Sequence, residues 1–311
     1  MVARGAVAAL LWAAASATTM RDVCLNKNFE QTLDGIDDPW LLEPHNALRD
    51  EDVVMGAIDG RHALEIGGPT PWAKHIYARV ASMDNFAQFA DQAHSRFEHA
   101  DGGAFAPDGD AIIGRTVVGD AANVTAAVAP GAYDLLFASH VLEHMLDPIG
   151  ALKSWDAALA PGGVLLLMLP WKDPTFDHLR APNTLDQLAQ KHVRYGAGRD
   201  EAALLVDFEQ TVRAIDLALD WGFPPGAQAS DLRRRTLASP QGREQLHWHV
   251  FDFHLLRELF ACLGYRVLAM DLLAPFHQII VGVKDDALRG GAPRAVASEG
   301  RGGGPPPPPI I

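Results

Sequence analysis

Cysteine is scarce in this chain, and basic residues are outnumbered. Only two cysteines occur among 311 residues, Cys24 and Cys262, which is too few for a disulfide framework or a cysteine zinc site. The second lies in the apolar run LLRELFACLG, where a buried thiol is expected. Lys and Arg total 26 against 39 Asp and Glu, a formal charge of -13. A sequence-blind grip on phosphates is therefore not expected, nor is nucleic acid as a partner. The apolar start, MVARGAVAALLWAAASA, is shorter than the roughly 20 residues that a transmembrane helix needs. It reads either as a cleaved targeting signal, with Arg4 ahead and Ala15, Ser16 and Ala17 at its end, or as an Ala-rich disordered start to a cytoplasmic chain. The terminal GGAPRAVASEGRGGGPPPPPII has no spacing that buries a face, and disorder or polyproline II is expected there.

What is present is alternation. Short β-branched or Leu-rich runs are separated by helical patterns, the signature of a parallel sheet covered by helices. Five runs come first: HALEI (62–66), ARVASM (78–83), RTVV (115–118), YDLLFA (133–138) and VLLLML (164–169). Each halts at glycine, proline or a polar residue. Asp147 as N-cap and Pro148 at the first position predict a helix over IGALKSWDAAL. Asp252 and Gly264 bracket another over FHLLRELFACL, and YRVLAMDLL and HQIIVGVK follow as two further strands. TLDQLAQKHVR and EAALLVDFEQTVRAIDLALDW are helical by pattern. The expected fold is α/β: a Rossmann-like, mostly parallel seven-stranded sheet with helices on both faces. It occupies residues 21–287, with a helical insertion at 171–246 after the fifth strand and a Gly/Pro-rich tail from 288. An insertion leaving a strand's carboxyl end belongs over the ligand site.

The turn after the first strand reads EIGGPTP. A pyrophosphate needs free backbone amides, but Pro69 and Pro71 delete two of them and the third glycine of the dinucleotide pattern is missing. A nicotinamide oxidoreductase is therefore disfavoured. S-adenosylmethionine carries an ammonium and a sulfonium and no phosphate, so Glu65 beside the turn suits its charge. Asp84, taken as the end of the second strand, is the expected ribose ligand. Asp120 would accept from the adenine amino group and the Ala121 amide would donate to the ring. Asn85 and Ser139, which adjoin these positions, are counted with them as cofactor contacts. For each acid, turn formation or helix capping is the alternative role.

The order EIGGPTP, MDN, GDA and YDLLFASHVLEHMLDPIGALKSWDAALAPGGVLLLMLP resembles class I S-adenosylmethionine-dependent methyltransferases of the type 11 group. SHVLEH followed by DP, and APGG before an apolar strand, are the most specific pieces. The likeness continues through TFDH (175–178) and HWHVFD (247–252). The resemblance implies that the last strand is antiparallel, that S-adenosylmethionine sits in the first half, and that a methyl group is transferred to an acceptor. It also implies that Gly67 and Gly68 line the methionine portion, that Asp84 holds the ribose, and that Asp120 and Ala121 face the adenine. The chain departs from the family pattern at Trp171 and Asp173, where an acidic and then a basic residue are usual, and through LAQKHVRYGAGRDE. An inactive nucleoside-binding scaffold is the alternative these departures raise.

Methyl transfer is an in-line displacement in which alignment and desolvation supply much of the rate. For a hydroxyl on a small-molecule or glycan-type acceptor, a histidine base is expected, and His140 leads. Asp177 and His178 rank second. His140 and His144 stand four apart, suitable for a metal pair, yet no third ligand is evident nearby, so no metal is expected. Trp171 could floor the acceptor pocket. His247 and His249 would share a side if HWHVF is extended, as substrate contacts or at an exposed strand edge.

Overall fold

The structure, a computed structural model, describes residues 20–26, 51–88, 101–196 apart from Asp108 and Asp110, 201–219, 224–238 apart from Pro225, and 246–289 apart from Ala274. The targeting-type start up to residue 19, and the Gly/Pro-rich tail beyond residue 289, lie outside them. In chain order the elements are α1 (Met20–Val23), α2 (Glu51–Ile58), β1 (His62–Ile66), α3 (Lys74–Tyr77), β2 (Ser82–Ala87), β3 (Ala104–Phe105), β4 (Gly114–Val118), β5 (Tyr133–Ser139), α4 (Pro148–Ala158), β6 (Leu159–Pro170), α5 (Leu185–Gly196), α6 (Glu201–Val212), α7 (Ala229–Ala238), α8 (Phe253–Leu263), β7 (Tyr265–Leu273) and β8 (His277–Lys284). No helix among the described residues is long and apolar enough to cross a membrane.

One sheet has the order β3-β4-β2-β1-β5-β6-β8-β7. The strands β4, β2, β1, β5 and β6 are parallel, and β8 runs antiparallel between β6 and β7. The α/β fold is the one expected, with eight strands instead of seven. The extra one, β3, pairs antiparallel with β4 and has only two residues, too short to show a period in sequence. Alternation sends neighbouring residues to opposite faces. Leu64, Ile66, Leu136 and Leu165 pack with Trp155 of α4 and Phe260 of α8, whereas Ala63, Leu135, Phe137 and Leu166 pack with Val54 and Ile58 of α2. Burial on both faces explains why the runs are apolar throughout instead of alternating. The side chain of Asp147 accepts from the Gly150 amide at the start of α4, that of Asp252 accepts from the Leu255 amide at the start of α8, and α8 ends on Gly264 with φ 75°.

Four expectations are corrected. The second strand runs over 82–87, because Ala78, Arg79 and Val80 spend their amides on the carbonyls of Lys74 and Ile76 and so complete the turn of α3. The Pro161-Gly162-Gly163 segment lies inside β6 at a register shift, not ahead of the strand. The long helix expected from residue 201 stops at Val212, and the chain folds back so that the Asp216 amide meets the Phe176 carbonyl. Finally, Cys24 and Cys262 form a disulfide, with Cα atoms 4.8 Å apart and a sequence separation of 238. Asn26 holds the N-terminal segment in place for it, its backbone and side-chain amides donating to the carbonyls of Cys262 and Ala261.

After β6, residues His192 and Tyr195 of α5 line a cavity at the strand ends. Helix α5 packs on α4 and α8. Leu204 and Phe208 of α6 and Leu232 of α7 bury Trp248 in a separate small core.

Candidate functional site

The strand order reverses between β1 and β5, since β2 and β4 extend the sheet on one side and β6 on the other. Ligands of open α/β sheets bind at such a switch point, beyond the carboxyl ends. A cavity of about 610 Å³ lies there, with Gln88 from the end of β2, Asp120 from the end of β4, His144 and Met145 from beyond β5, and Tyr195 of α5 in its wall. Helix α5 is tied to the cavity rim through His192, which meets both Asp147 and Lys153. Asp147 caps α4 and accepts from His192 Nδ1 of α5 at 2.9 Å.

Gly67 has φ +80°, and a Cβ on it would lie 2.7 Å from Val141 Cγ2. The turn therefore tolerates no side chain at this point. Glu65 does not face a ligand as expected: it is fully buried beneath Gly68. Its carboxylate accepts from the Thr70 amide at 2.9 Å and from the Tyr77 hydroxyl at 3.0 Å. Burial pushes it up to about 7 against the pull of those hydrogen bonds. Glu65 buttresses the glycine turn.

Asp84 is also displaced from its expected role. With β2 running to Ala87, it lies inside the strand opposite Leu64, where it accepts from the Arg115 amide and the Tyr133 hydroxyl, both at 2.9 Å. Asn85 is buried within the sheet opposite Glu65 and Thr116. The residue that reaches the cavity from β2 is Gln88, which the expected strand boundary concealed. Asp120 does reach it; one carboxylate oxygen accepts from the Ala122 amide at 2.9 Å, so capping and cavity lining coexist. Ala121 is buried, and its carbonyl accepts from Trp155 Nε1. Ser139 ends β5 with its hydroxyl buried and unpartnered among the described residues. Glu65, Asp84 and Asp120 thus answer to three separate sets of partners.

Beyond β5 the backbone turns sharply, placing His140 at φ 54°, the only described non-glycine residue with positive φ. His140 Nε2 lies 2.7 Å from His277 Nδ1, and the edge of its ring meets Trp72. Burial, followed by His277 and His247, lowers its pKa to about 3. The same surroundings favour the neutral imidazole over the imidazolium.

A polar cluster missed in sequence stands beside it. Glu143 is 1% exposed, and neither carboxylate oxygen has a hydrogen-bond partner. Around its Oε1 lie His140 Nδ1 at 3.5 Å, His144 Nε2 at 3.8 Å and His247 Nε2 at 3.9 Å. His144 Nδ1 meets the Leu246 carbonyl at 3.2 Å, and His247 Nδ1 meets Asp177 Oδ2 at 2.6 Å. Arg180 pairs with Asp177 at 2.6 Å and donates to the carbonyls of His247 and Trp248, fastening the HWH segment. Although burial raises the Asp177 carboxyl, the His247 hydrogen bond and the Arg180 charge hold it below its ordinary value. Asp177 therefore belongs to the site as the partner of His247, whereas His178 bonds Asp216 on the insertion, 3.0 Å away. His247 and His249 are buried, so an exposed strand edge is excluded. Trp171 packs against Phe253, their ring centroids 5.8 Å apart.

Residues 57–270 match the family model described as a methyltransferase domain. No curated protein matches the chain in sequence. Among solved structures, the chain is similar to the trans-methyltransferase CalH in complex with SAH, at 16% identity and a TM-score of 0.39, covering 75% of this chain and 54% of that one. It thus spans about half the length of CalH. An S-adenosylmethionine-dependent methyltransferase from Mesorhizobium loti is 13% identical with a TM-score of 0.41, covering 73% of this chain and 92% of that one. A DhpI complex with SAH is 15% identical with a TM-score of 0.40, covering 85% and 98%.

Proposed function

Because the chain belongs to the methyltransferase domain family, we propose that it transfers a methyl group from S-adenosylmethionine to a small-molecule or glycan-type acceptor. The observation that carries this reading is the cavity at the switch point, bounded by Asp120 and Gln88 on one side and by His144 on the other. The residues fit the cosubstrate. Asp120 has a carboxylate oxygen beyond the one used in capping, suited to the adenine amino group. Gln88 takes over the ribose contact first expected of Asp84, and the bare backbone at Gly67 leaves room that any Cβ would fill. The buried Ser139 hydroxyl supplies a further unspent polar group.

When bound, S-adenosylmethionine supplies a methyl group activated on a sulfonium. The protein supplies alignment and exclusion of water. Helix α5 closes one wall of the cavity and is held to its rim through His192 and Asp147. The acceptor end of the crevice is the cluster around Glu143, His144 and His247. The Cys24–Cys262 bridge supports an oxidising compartment, and with it the targeted over the cytoplasmic reading of the apolar start.

The test is incubation of purified protein with isotopically labelled S-adenosylmethionine and a metabolite extract. A labelled small molecule is the expected product. Tight binding of S-adenosylhomocysteine without any product favours the scaffold instead, and calorimetric preference for NAD over S-adenosylhomocysteine overturns the proposal.

A further inference from the structure

The arrangement around Glu143 is electrostatically incomplete. A backbone carbonyl only accepts hydrogen bonds, so the Leu246 carbonyl fixes the His144 proton on Nδ1 and leaves the Nε2 lone pair facing Glu143. The Asp177 carboxylate does the same for His247. Two imidazole lone pairs and a buried carboxylate oxygen with no hydrogen-bond donor therefore point at one small region. Among the described residues, the ion-pair partners of Glu143 are His140, His144 and His247; Arg180 is engaged by Asp177 and two carbonyls. Acceptors gathered with neither a proton nor a cation between them repel one another, and a buried carboxylate left in this state is costly.

A cation resolves the conflict. We propose that Glu143, His144 and His247 bind one divalent metal ion of the zinc class, with Asp177 and the Leu246 carbonyl orienting the two imidazoles. Two imidazole nitrogens and one carboxylate are a donor set that zinc accepts, with a fourth position left for another ligand. One ligand atom from each residue lies within 4.8 Å of the others. Tetrahedral bonds of about 2.0–2.1 Å place ligand atoms roughly 3.3 Å apart, so the observed 3.8 and 3.9 Å contacts to Glu143, and the separation of the two imidazole nitrogens, would shorten on binding. The outer partners are those of ligating histidines generally, where the nitrogen away from the metal donates to a carboxylate or a carbonyl. His144 also lines the cavity, which puts the ion at its wall.

The experiment uses untagged full-length protein stripped with a chelator and titrated with Co²⁺ and Zn²⁺, read by visible absorption and calorimetry. Expected is one ion per chain with the intense absorption of tetrahedral cobalt. Glu143→Gln and His247→Ala should each weaken binding at least tenfold. Asp177→Asn should weaken it by about 10- to 100-fold, as outer partners do. His254→Ala, which alters an exposed histidine on α8, should change nothing. Failure of the wild-type protein to bind stoichiometrically overturns the proposal, as does equal binding by a folded Glu143→Gln variant. S-adenosylhomocysteine affinity, measured on the same metal-free samples, reports separately on the methyltransferase reading.

Discussion

Tyr133 donates its phenolic hydrogen to Asp84 across 2.9 Å, from β5 to β2, beneath the strand ends where a cosubstrate would lie. The phenol is pushed up by burial and by the Asp84 charge, so it remains a donor at any physiological pH. Asp84 is spent on the sheet. We expect Asp84→Ala to cost about 1–3 kcal/mol of stability by leaving buried donors unpaired, read by urea unfolding. S-adenosylhomocysteine affinity should be unchanged; a loss of affinity at unchanged stability would return Asp84 to the binding site.

Gln88 and Asp120 should both contribute to binding, in different measure. Gln88→Ala should leave stability within about 0.5 kcal/mol, as for a substitution with no buried partner, and weaken S-adenosylhomocysteine binding by about 0.5–1.5 kcal/mol for one neutral hydrogen bond. Asp120→Ala should weaken binding by more, since a charged acceptor is lost. Calorimetry on both variants checks this, and unaltered affinity in both would displace the ligand from this cavity.

Glu65 gives a pH dependence. Its carboxyl titrates near 4.5 when unfolded and at about 7 when folded, so between these values the native state holds a proton that the unfolded state has released. Stability therefore falls as pH rises through that window, by roughly 3 kcal/mol at most. Glu65→Gln should lessen this slope in urea melts run from about pH 4 to pH 8, the remainder coming from Glu143, which burial also pushes up to about 7. An unchanged slope would show that Glu65 titrates normally.

The disulfide should matter for stability. Reduction, or Cys262→Ser, should cost about 2–5 kcal/mol, the usual effect of removing a native bridge. Thermal melts with and without reductant measure it, and coincident melts would mean that the bridge does not form in the folded protein.

Much of the fold was legible because strands buried on both faces leave unbroken apolar runs. β8 was bounded correctly from HQIIVGVK, and the caps at Asp147 and Asp252 act as their positions suggested. The second strand was misplaced because ARVASM mixes apolar and small residues that suit a turn as well as a strand. That shift of four residues was enough to seat Asp84 at a site it does not reach. The histidine cluster was only half visible. His144 was noticed for its spacing from His140, but its relevant neighbours are the adjacent Glu143 and His247, brought in from beyond the insertion by tertiary packing alone. The disulfide was hidden for the same reason, since nothing near Cys24 or Cys262 in sequence announces the other.

The bridge between Cys24 and Cys262 encloses β1 to β6 and the helices α5 to α7 within a single covalent ring, leaving β7 and β8 outside it. A protease that severs the backbone once anywhere inside that ring leaves two pieces that still travel as one molecule. Nicked protein would therefore keep its full mass on a gel until a thiol is added, and fragments would part only then.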